Sequence, residues 1–184
     1  MPTVIGTSVL VEAQTQLIPL SELAPGQAAA IRKAAVEDLL RRAEQESKVT
    51  RNRLVVRDIL TATDLDYGAE EWSEVTGTTV NAYETMTTGT MGTDRYIGIF
   101  GVKLVEGAGS CSALRFTIGG ADRAIWQLQS LNAEDGYVGF TPSVILITQN
   151  SPYTISRYVR AIGNAFFCVL KGVVVETRGK LVSP

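Results

Sequence analysis

The sequence predicts a mainly β protein: an antiparallel β-sandwich of jelly-roll type, preceded by an extended N-terminal arm and one amphipathic helix. Short runs of β-branched and aromatic residues, separated by turn residues, fill the second half of the chain. Residues 26–48 have helical periodicity, and Pro19 excludes a helix interior before them. We therefore expect an arm and helix in residues 1–48, a connector in 49–92 and the β-sandwich in 93–184.

The first twenty or so residues predict an extended arm. Val9 and Val11 alternate with Ser8 and Leu10, which is the period of a strand. Because an apolar segment this short cannot fold alone, we expect it to lie on its own sandwich or on a neighbouring subunit. Val9 and Val11 are therefore candidate assembly contacts.

Residues 26–48, GQAAAIRKAAVEDLLRRAEQESK, predict one amphipathic helix. Ile31, Ala35 and Leu39 recur at four-residue spacing within an apolar stripe. The stripe is rich in alanine, which permits close approach of a second surface. Two interpretations stay open: the helix packs on its own domain, or it is an oligomerisation helix whose assembly contacts include Ile31, Ala35 and Leu39.

Residues 49–92 predict a connector between the helix and the β-domain. The apolar patch RNRLVVRDIL is followed by an acidic stretch and then by TGTTVNAYETMTTGTMGTD, which is dense in threonine and glycine. Such a segment is typical of a long surface excursion, or of a strand-and-loop region ordered by its neighbours.

The chain has β character from Arg95 onward. Runs such as RYIGIFGVKLVE, SALRFTIGG and SVILITQ are separated by turn signals at Gly119-Gly120, Asp135-Gly136 and Ser151-Pro152. About six to eight short strands spaced in this way are typical of an antiparallel sandwich. Strands and helices do not alternate, which disfavours a parallel sheet.

The amino-acid composition excludes several kinds of catalytic and metal site. The 184 residues suit one domain, and the net charge of -2 does not indicate binding of nucleic acid. The chain has no histidine, which excludes histidine triads and HExxH zinc sites. Cys111 and Cys168 form no CxxC pair, so we expect two buried thiols, with a disulfide left open. No stretch reaches the roughly 18 apolar residues of a membrane span, so we expect no membrane partner.

The stretch TATDLDYGAEEW, residues 61–72, carries four carboxylates and is the strongest candidate for a chemical site. Counted from Asp64, an EF-hand loop requires glycine at its sixth position and glutamate at its twelfth, where this chain has Ala69 and Val75. Neighbouring carboxylates also rarely reach the opposed placement of a glycosidase pair. We therefore interpret the stretch as an acidic, capped junction that needs no metal and no cofactor.

Arginines near this stretch are its expected partners. Arg51, Arg53 and Arg57 form the only local basic group of the chain, and Asp64 and Asp66 follow closely. The pairing could lie within one chain or across a subunit boundary, so Arg53, Arg57, Asp64 and Asp66 are candidate assembly contacts. A looser cation site, built on the two aspartates and a following glutamate, stays a minor alternative.

Other motifs for chemistry are missing from the sequence. The glycine-rich runs GVKLVEGAGS and TIGGAD match neither a P-loop nor GxGxxG, and there is no GxSxG nucleophile elbow. We expect no enzymatic activity. Trp72, Trp126, Tyr96, Tyr137 and Tyr153 could form a ligand-stacking face, although aromatic residues in strands are more often core.

Four segments together resemble structural proteins of tailed-phage virions: LVVRDILTATDLDY, YIGIFGV, LRFTIGGADRAIWQLQSL and LKGVVVETRGKLVSP. In that group an arm and a helix precede a compact β-sandwich. The resemblance implies a structural component of the particle, either decorating and cementing the capsid or joining neck and tail components. We expect a homo-oligomer, a trimer or dimer, that contacts other virion proteins such as the major capsid protein and assembles in the host cytoplasm.

A carbohydrate- or receptor-binding β-sandwich module is the alternative function. It predicts glycan binding that weakens when Trp72 or Tyr137 is replaced by alanine. The assembly hypothesis predicts instead that removing residues 1–48 leaves a folded sandwich that no longer assembles.

Overall fold

The computed structural model describes residues 16–65, 73–106, 109–131, 133, 136–163 and 165–178. Its elements, in chain order, are β1 Ile18–Pro19, α1 Gln27–Ser47, β2 Leu54–Asp58, α2 Thr61–Asp64, β3 Ser73–Thr76, β4 Tyr83–Thr90, β5 Arg95–Glu106, β6 Cys111–Ile118, β7 Ala121–Gln127, β8 Val138–Ile147, β9 Pro152–Val159 and β10 Ala165–Thr177. Short 3-10 turns lie at Leu20–Glu22, Arg51–Arg53 and Leu128–Ser130.

The strands form two antiparallel sheets. The larger sheet has the order β1-β8-β5-β10-β2, with β3 also beside β10, and the smaller sheet has the order β4-β9-β6-β7. The pairing is nested, because β2 pairs with β10, β4 with β9, β5 with β8 and β6 with β7. The prediction of a mainly β chain with two antiparallel sheets and one long helix is confirmed.

The main core lies between the two sheets. Strand alternation points Phe166, Cys168 and Leu170 of β10 into it, and all three side chains are buried. From the smaller sheet, Trp126 is fully buried against Phe116, with their ring centroids 4.6 Å apart. Aromatic residues of this size contribute a large share of the apolar area that stabilises a core.

Helix α1 packs on the outer face of the larger sheet and forms a second core. Ile31, Ala35 and Leu39 are buried there, together with the sheet residues Tyr96, Phe100, Val173 and Val175. A Cβ atom at Gly98 would lie 3.0 Å from Cδ1 of Leu39, so the glycine lets the helix approach the sheet closely. Packing on its own domain, one of the two interpretations left open by the sequence, accounts for this apolar stripe.

Residues 49–92 contribute strands to both sheets, which agrees with one of the two interpretations left open by the sequence, a strand-and-loop region ordered by its neighbours. β2 and β3 pair with β10 at one edge of the larger sheet, and β4 pairs with β9 at one edge of the smaller sheet. β4 has few buried side chains. Its threonines suit such an edge strand, since they favour extended backbone and leave one side polar.

The end of the predicted arm belongs to the sandwich. Leu17 is fully buried in the inter-sheet core, and Ile18 and Pro19 pair with Phe140 and Gly139 of β8. Val9 and Val11 lie outside the described residues.

Candidate functional site

One edge strand of the larger sheet is interrupted. β2 pairs with the C-terminal half of β10 and β3 with its N-terminal end, on the same side. Between them, Ile59 N donates to Gly172 O at 3.1 Å, and Leu170 N donates to Thr61 Oγ1 at 3.3 Å. α2 therefore lies where the edge strand is broken, and the threonine hydroxyl replaces a missing backbone acceptor.

Four charged side chains meet beside this break: Arg57, Asp64, Arg95 and Glu176, called the ionic cluster below. Arg57 Nη1 and Nη2 donate to the two carboxylate oxygens of Asp64 at 2.7 and 2.6 Å. Arg57 Nε donates to Glu176 Oε1 at 3.0 Å, and Arg95 Nε donates to Glu176 Oε2 at 3.1 Å. Arg95 Nη1 lies 3.8 Å from Asp64 Oδ1, which closes the cluster.

Strand register brings these residues together. Glu176 lies directly opposite Arg95, and Arg57 lies opposite Val174, whose side chain is in the inter-sheet core. Two-residue alternation therefore points Arg57, Arg95 and Glu176 inwards at one end of the sandwich. Asp64 reaches the same point from α2, and its Oδ2 accepts a hydrogen bond from Leu60 N at 2.7 Å, at the start of that helix.

The ionic cluster is balanced and largely dry. The side chains of Asp64 and Glu176 are 0% and 1% exposed, and those of Arg57 and Arg95 are 22% and 18% exposed. Hydrogen bonds to the Asp64 carboxylate raise the pKa of the Arg57 guanidinium above its ordinary value. Each carboxylate oxygen already accepts a hydrogen bond from an arginine, so the arrangement suits fastening α2 rather than binding a cation or moving a proton.

The structure brings together only some of the predicted contact residues. The predicted pairing of Arg57 with Asp64 is confirmed, within one chain. Arg53 forms no ion pair with any described residue, and its backbone O accepts from Arg178 N at 2.7 Å. Arg51 pairs with Glu37 of α1 at 2.7 Å. Asp66 lies outside the described residues.

Sequence reasoning missed Arg95 and Glu176, which are distant from Asp64 along the chain. One signal was present: Glu176 follows the run Gly172–Val175, and strand alternation places it on the same face as Val174. A glutamate on a buried face needs a cation, because an unpaired buried carboxylate is costly. Arg57 of β2 and Arg95 of β5 occupy inward positions on the two strands that pair with β10, and they supply two cations.

A second carboxylate fastens a loop near the opposite end of the sandwich. Glu84 Oε1 accepts hydrogen bonds from the backbone N and the hydroxyl of Thr78, at 2.8 and 2.7 Å, and from Thr79 N. Its Oε2 lies 3.4 Å from Nη2 of the buried Arg157. These contacts, led by the Thr78 hydroxyl, lower the pKa of Glu84 to about 2.

Most of the aromatic set lies in the core rather than on a binding face. Trp126 and Tyr96 are fully buried and Tyr153 is buried, while Tyr137 is partly buried against the inter-sheet core. Trp72 lies outside the described residues. The expectation that aromatic residues in these strands are mainly core is confirmed for Trp126, Tyr96 and Tyr153; Tyr137 lies in the turn before β8.

Both cysteines are buried free thiols. Cys111 begins β6 and Cys168 lies in β10, both within the inter-sheet core. Burial raises the pKa of the Cys111 thiol to about 11 and raises that of Cys168 further. Their role as small apolar core residues agrees with the sequence-based prediction.

In comparisons with known proteins, no family model, no curated protein and no solved structure matches the chain. Among the residues that the structure describes, no group of three or more His, Cys, Asp or Glu could hold a metal ion. No described helix is long and apolar enough to cross a membrane.

Proposed function

We propose that this chain is a non-enzymatic structural protein of a tailed-phage particle. In this role it self-associates as a trimer or dimer and contacts other virion proteins such as the major capsid protein. It either decorates and cements the capsid or joins neck and tail components. The nested strand pairing is the observation that carries the proposal.

We infer that the sandwich is a jelly roll. Taking β2, β4, β5, β6, β7, β8, β9 and β10 as its eight strands, the first pairs with the last, the second with the seventh, the third with the sixth and the fourth with the fifth. Folding such a long nested hairpin over itself gives two four-stranded sheets, which is the jelly-roll plan found in viral capsid domains. The sequence resemblance to virion proteins supports the same assignment.

Rigid edges support an assembly role. The ionic cluster ties β2, α2, β5 and β10 into one unit, so the interrupted edge is held by charge-assisted hydrogen bonds as well as by backbone pairing. A subunit that holds its shape at its edges can repeat the same contacts around a shell.

Native mass spectrometry and sedimentation of the full chain test the self-association. A defined trimer or dimer is expected, and deletion of residues 1–15 is expected to give a monomer with the same circular dichroism and melting temperature. The shorter deletion is the appropriate one, because removal of residues 1–48 would also expose the sheet face under α1 and remove Leu17 from the core.

Two results would contradict the proposal. A full-length chain that stays monomeric at all concentrations would refute self-association. An oligomer that survives deletion of residues 1–15 would refute the proposed role of the arm in assembly. The proposed location in the phage particle is tested by expressing a tagged chain in infected cells. The chain is expected to sediment with the tailed particles, and recovery in the soluble fraction alone would count against a virion location.

A further inference from the structure

A cleft of about 480 Å³ lies between helix α1, the C-terminal half of β8 and the hairpin that joins β6 to β7. Its volume is within the range of pockets that hold small organic molecules. Arg42 and Arg123 reach it from α1 and β7. Three residues with hydroxyl groups line it from β8 and the turn that follows: Ser143, Thr148 and Ser151. The cleft therefore combines cationic and hydroxyl groups from separate parts of the fold.

Irregularities in strand register bring two of these side chains to the cleft. In the smaller sheet, the pairing of β6 with β7 slips between Phe116 and Thr117, and Arg123 is the extra residue of this bulge. In the larger sheet, the pairing of β5 with β8 is interrupted over residues 141–144, which include Ser143. Both side chains are exposed and line the cleft. A bulge re-aims a side chain out of the regular ladder, and bulges are frequent beside functional sites.

Arg123 is available to a ligand. It forms no ion pair with any described residue, and none of the described residues that line the cleft is acidic. The carboxylate next to it in sequence, Asp122, has other partners: its Oδ1 accepts a hydrogen bond from Thr117 Oγ1 at 2.6 Å, and its Oδ2 lies 4.0 Å from Arg115 Nη1. An anion that entered the cleft would therefore displace no described carboxylate from Arg123.

Arg42 also keeps donors for a ligand. Its Nε donates to Asp38 Oδ2 at 3.1 Å, and the other oxygen of the same carboxylate accepts a hydrogen bond from Arg41. One carboxylate is thus shared by two guanidinium groups, so this part of α1 keeps a positive charge. The Nη1 and Nη2 groups of Arg42 form no hydrogen bond with any described residue and can donate to an anion.

The rest of the lining adds a neutral donor and an apolar side. Thr148 Oγ1 and Ser151 Oγ lie 2.9 Å apart and form one hydrogen bond, so one of the two hydroxyl protons remains for a ligand. Several apolar residues complete the lining: Ile118, Ala124, Val144, Ile145 and Leu146. A ligand that fills the cleft therefore needs both an anionic group and an apolar part.

We propose that the cleft binds a small organic phosphate, whose phosphate group accepts hydrogen bonds from Arg42 and Arg123 and whose organic part lies against the apolar side. The oxygens of a phosphate point in several directions, which suits donors that come from separate walls, and guanidinium groups are strong partners for phosphate. This binding site is independent of the assembly role proposed above.

The test uses the full chain with methyl-labelled isoleucine, titrated with phenyl phosphate, benzoate and phenol. Phenyl phosphate is expected to shift the methyl resonances of Ile118 and Ile145 saturably, and phenol is expected to have no effect. Benzoate should bind more weakly, because it carries one charge whereas a phosphate monoester carries about 1.5 to 2 at pH 7. Arg42→Gln and Arg123→Gln should each weaken phenyl phosphate binding about tenfold, since each removes a charge-assisted hydrogen bond.

The matched control is Arg160→Gln, which removes an exposed arginine beyond the far end of β9 and should keep the affinity. No saturable shift, equal affinity for benzoate, or the same affinity in the control and both cleft variants would each overturn the proposal. The chain without residues 1–15 is titrated in parallel, because the segment before β1 is the alternative occupant. It should bind phenyl phosphate as the full chain does, and binding only after the deletion would overturn the proposal.

Discussion

Replacing Asp64 by asparagine removes one charge from the ionic cluster with almost no change in shape. The amide oxygen can still accept the hydrogen bond from Leu60 N, which Asp64 Oδ2 accepts at 2.7 Å in the native chain. What is lost is the doubly hydrogen-bonded ion pair with Arg57, leaving two guanidinium groups to share the single carboxylate of Glu176.

The expected loss of stability follows from burial. Removing one partner of a fully buried ion pair costs about 3–5 kcal/mol, because the other charge stays behind unpaired. Arg57 and Arg95 are 22% and 18% exposed, so water screens part of the uncompensated charge. We therefore expect Asp64→Asn to lower the free energy of unfolding by about 2–3 kcal/mol. Asp64→Ala also leaves Leu60 N unpaired and should cost about 1 kcal/mol more.

Urea unfolding, followed by the fluorescence of the buried Trp126, measures this change. With a slope of about 2 kcal/mol per molar urea, the midpoint for Asp64→Asn should fall by about 1–1.5 M. The control is Asp58→Asn, whose ion pair with Arg32 joins side chains that are 74% and 47% exposed. An exposed pair of this kind contributes about 0.5 kcal/mol or less, so the control midpoint should hardly move.

A double-mutant cycle decides whether the effect belongs to the cluster. Arg57→Met combined with Asp64→Asn should cost less than the sum of the two single changes, by about 1–3 kcal/mol. Equal midpoints for Asp64→Asn and Asp58→Asn, or strict additivity in the cycle, would refute the argument that a buried ionic cluster fastens α2.

Three further predictions test the same structure. Because the native pKa of Glu84 is about 2 and its ordinary value is 4.5, its contribution should be present above pH 4.5 and be lost as the pH falls towards 2; the gap in melting temperature between the native chain and Glu84→Gln should close over that range. A Cβ atom at Gly172 would lie 2.5 Å from Gly98 O, so Gly172→Ala should cost about 1–3 kcal/mol in urea unfolding, whereas Gly92→Ala, with nothing within 4 Å, should be close to neutral. Cys111 and Cys168 should resist a thiol reagent at pH 8 in the native chain and both react in urea, and labelling of the native chain would contradict their burial.

Local patterns in the sequence were enough to predict the helix and the strand-rich half. The apolar stripe through Ile31, Ala35 and Leu39 has a strong helical period, and α1 occupies Gln27–Ser47, within a residue of each predicted end. For residues 49–92 the sequence left a surface excursion and a strand-and-loop region both open, because the edge strands β2 and β4 need little apolar alternation. Their place is decided by pairing with β10 and β9, distant segments that a local pattern does not reveal.

The ionic cluster was only half predictable for the same reason. Arg57 and Asp64 are close in sequence, so a local reading could predict that the carboxylate in the short helix α2 pairs with the neighbouring guanidinium. Arg95 and Glu176 join them only because β5 and β10 pair in one particular register. A shift of one residue would turn both side chains to the other face of the sheet, so their role depends on the whole sheet rather than on local sequence.

The sheet edges favour association through faces and loops over added strands. In the larger sheet one edge is interrupted by α2 and carries Asp58. The other edge is the two-residue strand β1, which covers only part of β8; β8 contains Pro142 and pairs with β5 through an irregular register. In the smaller sheet the edge strand β7 exposes Asp122 and Arg123. Charges, prolines and broken registers are the features by which sheets resist pairing with another chain. Association of this chain with other proteins is therefore expected through its sheet faces or loops rather than through added strands.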